Sequence, residues 1–501
     1  MKPDDTREML RLAQEAYPGA TVRLRPGSIA EAGGVTFAMI DVNGAPRLAV
    51  RGAAGCARGF ERERTVPGKK GEAALCGLTH ANAAALRAAL PFSAPRPLGA
   101  MDVTIGLGDR LGCAGAGHIA AIRDRRAWPV LAQQSMRELT LTGRTFAEVL
   151  DASTWAVFAE GFREPWGADG DHLKTAEQVT EALSAGFTMI TADVSDHLHG
   201  EVASRSDAEV RSAYEGLDGA YRREIEQRYL AAGFPLAAGA SVAFTPRDLQ
   251  RIVLVYRDSL AQAERLYRAG VEVRGEGGFD FELSIDETET PTTPQAHLFM
   301  AMEARRMGIA VTSLAPRFVG EFQKGIDYIG GVKEFEASFS AHAAIAKTLG
   351  YRISVHSGSD KFSVFPSIGR LSGSRFHLKT AGTSWLEALR VIAASDAALF
   401  RDLYALALEG YPNARKLYHV TPDLSTLPGP DGLSERDGRA LLDDVHARRV
   451  LHITYGEMLA APQLRDRLFA ALDRGSAQYR AALFSHIGRH LSLLGIGPRG
   501  P

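Results

Sequence analysis

The chain holds three cysteines in 501 residues, Cys56, Cys76 and Cys113, and no two of them stand in CxxC spacing. That scarcity argues against a disulfide framework or a zinc ribbon and fits a reducing compartment. Net charge is also lacking: 58 Lys and Arg against 59 Asp and Glu leave −1, with no basic tract. A nucleic-acid partner needs a concentrated positive face, so that class is set aside. No apolar run reaches the length of a membrane span, and the opening MKPDDTREML lacks the basic-then-apolar form of a signal peptide. The chain therefore reads as cytoplasmic, with no membrane partner. Two fingerprints are missing as well. No GxGxxG opens a helix after a strand, and no GxSxG elbow occurs; GLGDRLG and GEGGF do not lead directly into a helix as a phosphate cradle must.

What is present is an alternation. Residues 1–97 carry turn-rich segments between short apolar runs such as VTFAMIDV, and read as a small N-terminal α+β region ending near the proline-punctuated PFSAPRPLGA. From Asp102 onward, short strand-type runs with polar or glycine-rich ends alternate with helical stretches. DVTIGLG, PVLAQQS, WGADGDHLK, FTMITAD, FDFELSIDE, IAVTSLAP, RISVH and FHLKT are the strand candidates. Their number and order predict an α/β fold, a (β/α)8 TIM-type barrel over 98–390. A helical insertion is expected near 199–270 and a C-terminal helical extension over 391–501. After FHLKT the helix WLEALRVIA begins, with Thr383 or Ser384 placed to cap it.

In such folds ligands sit beyond the carboxyl ends of the strands. Strict alternation in FDFELSIDE puts Phe279, Phe281, Leu283 and Ile285 on one face and Asp280, Glu282, Ser284 and Asp286 on the other. Carboxylates in a barrel lumen ligate a cation, move protons, or form a buried ion-pair network with Arg or Lys. Asp171 and His172 close the third candidate strand, where the turning backbone could bring both to the mouth. His172, His356 and His377 each end a different strand, and neutral imidazole is a common ligand for Zn, Co, Ni or Mn. Any one of them could simply satisfy a core hydrogen bond, but the set favours a divalent metal cation, with Glu321 of RFVGEFQKG completing an N/O site. Arg110 is either an anion anchor or structural. His342, on an amphipathic helix, reads as packing, and His452 as part of the C-terminal extension.

GLGDRLG, AQQSMREL, GADGDHLK, FVGEFQKGIDYIG, SVHSGSDKFSVFP, FHLKTAGTSWLEALR, YHVTPDLS and LHITYGE together resemble the tagaturonate/fructuronate epimerase family, whose relatives include ketohexose (tagatose) 4-epimerases. The resemblance runs from about Asp102 to the C-terminus and implies a metal-dependent barrel acting on a sugar or sugar acid. It implies Asp171 as proton acceptor, Glu282 as proton donor, and His172, Glu321 and His356 as metal ligands, with His377 as the alternative to Glu321. The family's substrates differ at a hydroxyl-bearing carbon β to the ketone, which deprotonation beside the carbonyl cannot invert. Transient oxidation by a nicotinamide or retro-aldol cleavage and re-addition can, and the missing dinucleotide fingerprint favours the second. A uronate substrate would need a cation, for which Arg110, Lys174 and Lys379 are the substrate-binding candidates, with Arg317 and Lys361 in reserve. A metal-dependent aldose–ketose isomerase or aldolase remains the alternative enzyme, and a sugar-binding barrel the non-enzymatic one.

Overall fold

The computed structural model describes residues 3–68, 71–288 and 290–499. Each of the eight candidate runs forms a strand: β1 (Val103–Leu107), β2 (Trp128–Ser135), β3 (Gly167–Leu173), β4 (Met189–Asp193), β5 (Asp280–Ile285), β6 (Val311–Pro316), β7 (Arg352–Val355) and β8 (Phe376–Thr380). They close into a barrel in which every strand is parallel to its neighbours and β8 pairs back onto β1, Phe376 opposite Val103 and Lys379 opposite Gly106. The fold is the (β/α)8 barrel expected from the strand count.

The period-2 pattern explains the layering. Phe281, Leu283, Ile353, Val355, Phe376 and Leu378 point outward into the main apolar core beneath the helices, each burial stabilising by roughly 1.5–3 kcal/mol. The residues between them, Glu282, Ser354, His377 and Lys379, are buried and polar. A polar lumen must satisfy its groups internally, and at the amino end it does so with the chain that enters the barrel. Arg352 donates from Nη1 to the carbonyls of Leu98 (2.7 Å) and Met101 (2.8 Å), and Asp280 accepts the Leu98 N–H at 2.6 Å. Asp280, first of the acidic row, therefore works as part of a plug at the barrel floor.

Between β4 and β5 the long helix Pro246–Arg274 packs against Ala176–Ala185 and Pro294–Arg306, the helices that follow β3 and β5, and so fills the fourth helix position of the barrel. The N-terminal region is a six-stranded antiparallel sheet. Ala38 and Ile40 face helix Pro3–Ala16, while Phe37 and Met39 pack with helix His80–Ala89 and with Trp155 and Phe158 of the barrel helix Phe146–Ala159. At the other end of the chain, helix Ser476–Leu493 lies on barrel helix Gly115–Ile122. Gly117 permits that approach, because a Cβ there would fall 2.6 Å from Leu483 Cβ. Among the described residues no helix is long and apolar enough to cross a membrane.

The expected cap after β8 is not observed. Helix Thr383–Ser395 starts from Gly382 with no side-chain cap. Thr383 is bonded instead to Asp360 and His486, and Ser384 to His118. Position 382 is glycine because the His452 ring fills the space a side chain would need, with Nε2 1.8 Å from where a Cβ would stand.

Candidate active site

The mouth of the barrel begins with an irregularity in β3. Gly170 pairs with Ile190 and Leu173 with Ala192, so Thr191 alone stands opposite both Asp171 and His172. This is a β-bulge, and His172 takes its left-handed conformation at φ 54°, a backbone state costing roughly 1–2 kcal/mol in a non-glycine residue. Regular alternation would send neighbouring side chains to opposite faces. Here both Asp171 and His172 line the cavity.

His172, Asp286 and His356 come from the ends of β3, β5 and β7, and each offers a ligand atom within 4.8 Å of the other two. Their outer atoms are already fixed. His172 Nδ1 lies 2.8 Å from Asp171 Oδ1, which leaves Nε2 for a ligand, and His356 Nε2 lies 2.7 Å from Glu282 Oε1. Carboxylates that orient imidazoles in this way are the usual support of a metal site. His356 Nδ1 is buried and faces Asp286 Oδ1 at 3.1 Å. Two imidazoles and one carboxylate suit a borderline divalent cation with positions left for substrate.

Charge supports the same fit. Below the triad, Lys379 Nζ contacts Asp169 Oδ2 at 2.8 Å, Asp171 Oδ1 at 2.6 Å, Glu282 Oε1 at 3.0 Å and the Thr191 hydroxyl. Ser313 donates to Glu282 at 2.6 Å. Three carboxylates thus surround one ammonium, and Asp286 adds a fourth beside His356. Burial, with Asp171 and Glu282 close by, pushes Asp169 up to about 6 against the pull of Lys379. Asp171 and Glu282 are held well below the usual carboxylate range, because Lys379 and the adjacent histidines outweigh their burial. His356 is likewise pushed up to about 10, its own burial being offset by Asp286 and Glu282. This negative field favours a cation.

The other expected residues are placed as follows. His377, two residues before Lys379, is fully buried and bonds Thr104 through Nδ1 at 2.8 Å; burial takes its pKa down to about 3. It lies outside the triad, as does Glu321, which lines a neighbouring groove and accepts from Gln323. Glu282 is fully buried and, unlike Asp171 and Lys379, does not line the cavity. Arg110 does line it, fixed by Glu138 (2.9 Å), by the carbonyl of His452 (2.8 Å) and by stacking on Tyr455. Lys174 does not; its ammonium bonds Asp196 at 2.7 Å and Ser195 at 3.3 Å. Lys361 Nζ is spent on the carbonyls of Gln323, Ile326 and Ser359, and Arg317 donates to Thr288. The cavity, partly open to solvent, is also lined by Gln133, Lys324 and His452, which the motifs did not assign to it.

Comparison with known proteins places this geometry in a family. The family model for tagaturonate epimerase (UxaE) matches residues 26–494. The tagaturonate/fructuronate epimerase of Thermotoga maritima is 41% identical over 422 residues, 84% of this chain and 86% of that protein. The glycerol-complexed crystal structure of fructuronate-tagaturonate epimerase UxaE from Cohnella laeviribosi superposes with a TM-score of 0.92 at 41% identity, covering 99% of this chain and 100% of that one. Its native crystal structure gives 0.92 over 98% of this chain and 100% of its own. The family that the sequence motifs resemble is the family the whole fold matches, and the chain belongs to the tagaturonate epimerase family of isomerases.

Proposed function

We propose that the protein interconverts D-tagaturonate and D-fructuronate by inverting the hydroxyl-bearing carbon β to the ketone, through retro-aldol cleavage and re-addition. The observation that carries this reading is the bulge of β3, which sets Asp171 against Lys379 at 2.6 Å on the cavity floor beside His172, in a chain 41% identical to epimerases along its length. His172, Asp286 and His356 are the proposed holders of a divalent ion. Such an ion would supply a Lewis acid to the ketone end of the substrate.

The chain's own groups supply the proton transfers. Asp171, ionised and exposed to the cavity, takes the proton from the hydroxyl on the inverting carbon. The bond from that carbon to its neighbour on the ketone side breaks; its electron pair passes to the neighbour, and the hydroxyl becomes an aldehyde. After the aldehyde rotates, the same bond re-forms on the opposite face and the oxygen regains a proton. Lys379, whose ammonium touches both Asp171 and Glu282, supplies that proton and is recharged by the proton that Asp171 took, while ionised Glu282 holds the ammonium in place. General acid/base groups contribute on the order of 10²–10⁴ in rate.

The test is product analysis with tagaturonate, fructuronate, tagatose and fructose, with and without Mn, Ni, Co or Zn, on protein stripped of bound nucleotides. Interconversion of the two uronates dependent on added metal is expected. An aldose product, free three-carbon fragments, or activity restored by NAD alone would each replace the proposal. Asp171→Asn and Glu282→Gln are each expected to lower turnover by roughly 10²–10⁴ while metal content stays near wild type. Loss of the ion in Glu282→Gln would make Glu282 a ligand instead.

A further inference from the structure

The cavity has two electrical ends. One is the carboxylate-rich floor around Lys379. The other is cationic: Arg110, Arg137 and Lys324 line it with a single buried carboxylate among them, Glu138, which is bonded to Arg110. Among the described residues Arg137 pairs with Glu287 at 3.9 Å, and both side chains are partly exposed. The hydrogen-bond partner of Lys324 Nζ is neutral, the Ser357 hydroxyl at 2.9 Å. Burial, with Arg137 and Arg110 nearby, pulls the Lys324 pKa below its ordinary value against the opposing charges of Glu138 and Asp171. Positive charge is in excess there, and it faces the cavity.

His452 stands in the same wall. It is 1% exposed, and among the described residues neither ring nitrogen has a hydrogen-bond partner. Burial and the charges of Arg110 and Lys324 hold it well below the usual imidazole range, so the ring is neutral and carries one N–H to donate. A buried donor without an acceptor costs roughly 1–3 kcal/mol. Two features keep these groups in place at that cost. Gly382 leaves room for the ring, and Lys361 clamps the segment carrying Lys324 through the carbonyls of Gln323 and Ile326.

We infer that Lys324 and His452 form the subsite for the substrate's carboxylate, and that this subsite selects keto-hexuronates over neutral ketohexoses. The inference rests on the epimerase reading above and names what that reading leaves open, the end of the sugar that the barrel grips. A carboxylate accepts from both groups and neutralises the ammonium. A hydroxymethyl group in its place would leave a charge facing it unpaired, and sites built around such a group reject analogues that lack it.

The experiment measures dissociation constants of galactonate and of its neutral counterpart galactitol on the full-length chain, by calorimetry, for wild type, Lys324→Met, Lys324→Gln and Lys324→Arg. Wild type is expected to prefer galactonate by roughly 10- to 100-fold. Lys324→Met and Lys324→Gln should abolish that preference and Lys324→Arg should keep most of it, a pattern that general loosening of the loop would not produce. Equal binding of the two probes by wild type, or a preference that survives in Met or Gln, overturns the inference. A galactonate preference that depends on Lys324, in a protein that fails to interconvert tagaturonate and fructuronate, would remove the epimerase reading and leave the anion subsite standing.

Discussion

Two clusters in this molecule have the same composition and opposite character. His172, Asp286 and His356 at the barrel mouth, and Asp360, His486 and His490 beneath the C-terminal helix, each bring one carboxylate and two imidazoles within 4.8 Å of one another. In the second, every ligand atom is spent within the chain. Asp360 accepts from His486 Nε2 at 2.6 Å and from Arg448 at 2.9 Å, its N–H donates to His490 Nε2 at 3.0 Å, and His490 Nδ1 donates to the His486 carbonyl at 2.9 Å. Arg448 already provides the positive charge. In the first, His356 Nδ1 meets only Asp286, itself a member of the cluster, at 3.1 Å, and three carboxylates crowd the single ammonium of Lys379. What separates the proposed ligand site from the structural knot is therefore not which residues meet, but how far their lone pairs and charges are answered from within the chain.

The largest effect that tests this contrast is on metal content. His356→Ala is expected to lose the bound divalent ion and to lower turnover by roughly 10³-fold or more. His490→Ala should keep a full equivalent of metal, measured on protein purified without chelator. If His356→Ala retains that equivalent, or His490→Ala loses it, the two clusters have been assigned in reverse.

The next effect is on stability and runs the other way. Asp360→Asn leaves Arg448 as a buried, unpaired cation, and breaking such a pair costs roughly 3–5 kcal/mol. Asp286→Asn removes a partly exposed carboxylate from an acidic site, so its cost in urea denaturation should be small while its metal is lost. Equal destabilisation by the two would mean that the mouth triad is a structural knot as well.

The sequence made the barrel legible because most strands kept a period-2 pattern, with apolar Ile353 and Val355 beside polar Ser354 and His356. It made two of the triad's three members legible, since His172 and His356 end their strands. Depth along the barrel axis was not legible. His377 and Lys379 share a face, but two residues of rise bury the first against Thr104 and leave the second on the cavity floor. Asp286 was read as a spare acid on the face of Glu282; only closure of the barrel shows it beside His172 and His356. Lys324 lies in the segment after β6, and His452 arrives from a helix far along the chain, so neither had a local pattern to mark it. The one signal for His452 was indirect: a glycine at position 382, immediately before the Thr383 and Ser384 expected to cap the helix.

The smallest effect concerns how the structural knot responds to pH. His486 faces Asp360 at 2.6 Å and Glu387 at 3.5 Å, with Arg448 and His490 on the same carboxylate. Its burial lowers the imidazole pKa, but Asp360 and Glu387 outweigh burial and raise it. Asp360 is depressed far below the carboxylate range, its burial being overcome first by His486 and then by Arg448. A raised histidine stabilises fully below its unfolded pKa of about 6.5, and that contribution fades as pH climbs through the folded value. A depressed aspartate stabilises above about 3.9 and loses its contribution as pH falls toward the folded value. The pair is therefore at full strength between roughly pH 4 and 6.5. Urea denaturation of wild type and His486→Ala should show a stability gap that is widest in that window and shrinks as pH rises from about 6.5. A gap that stays flat or widens with rising pH would mean that His486 is neutral in the folded protein and holds Asp360 by hydrogen bonding alone.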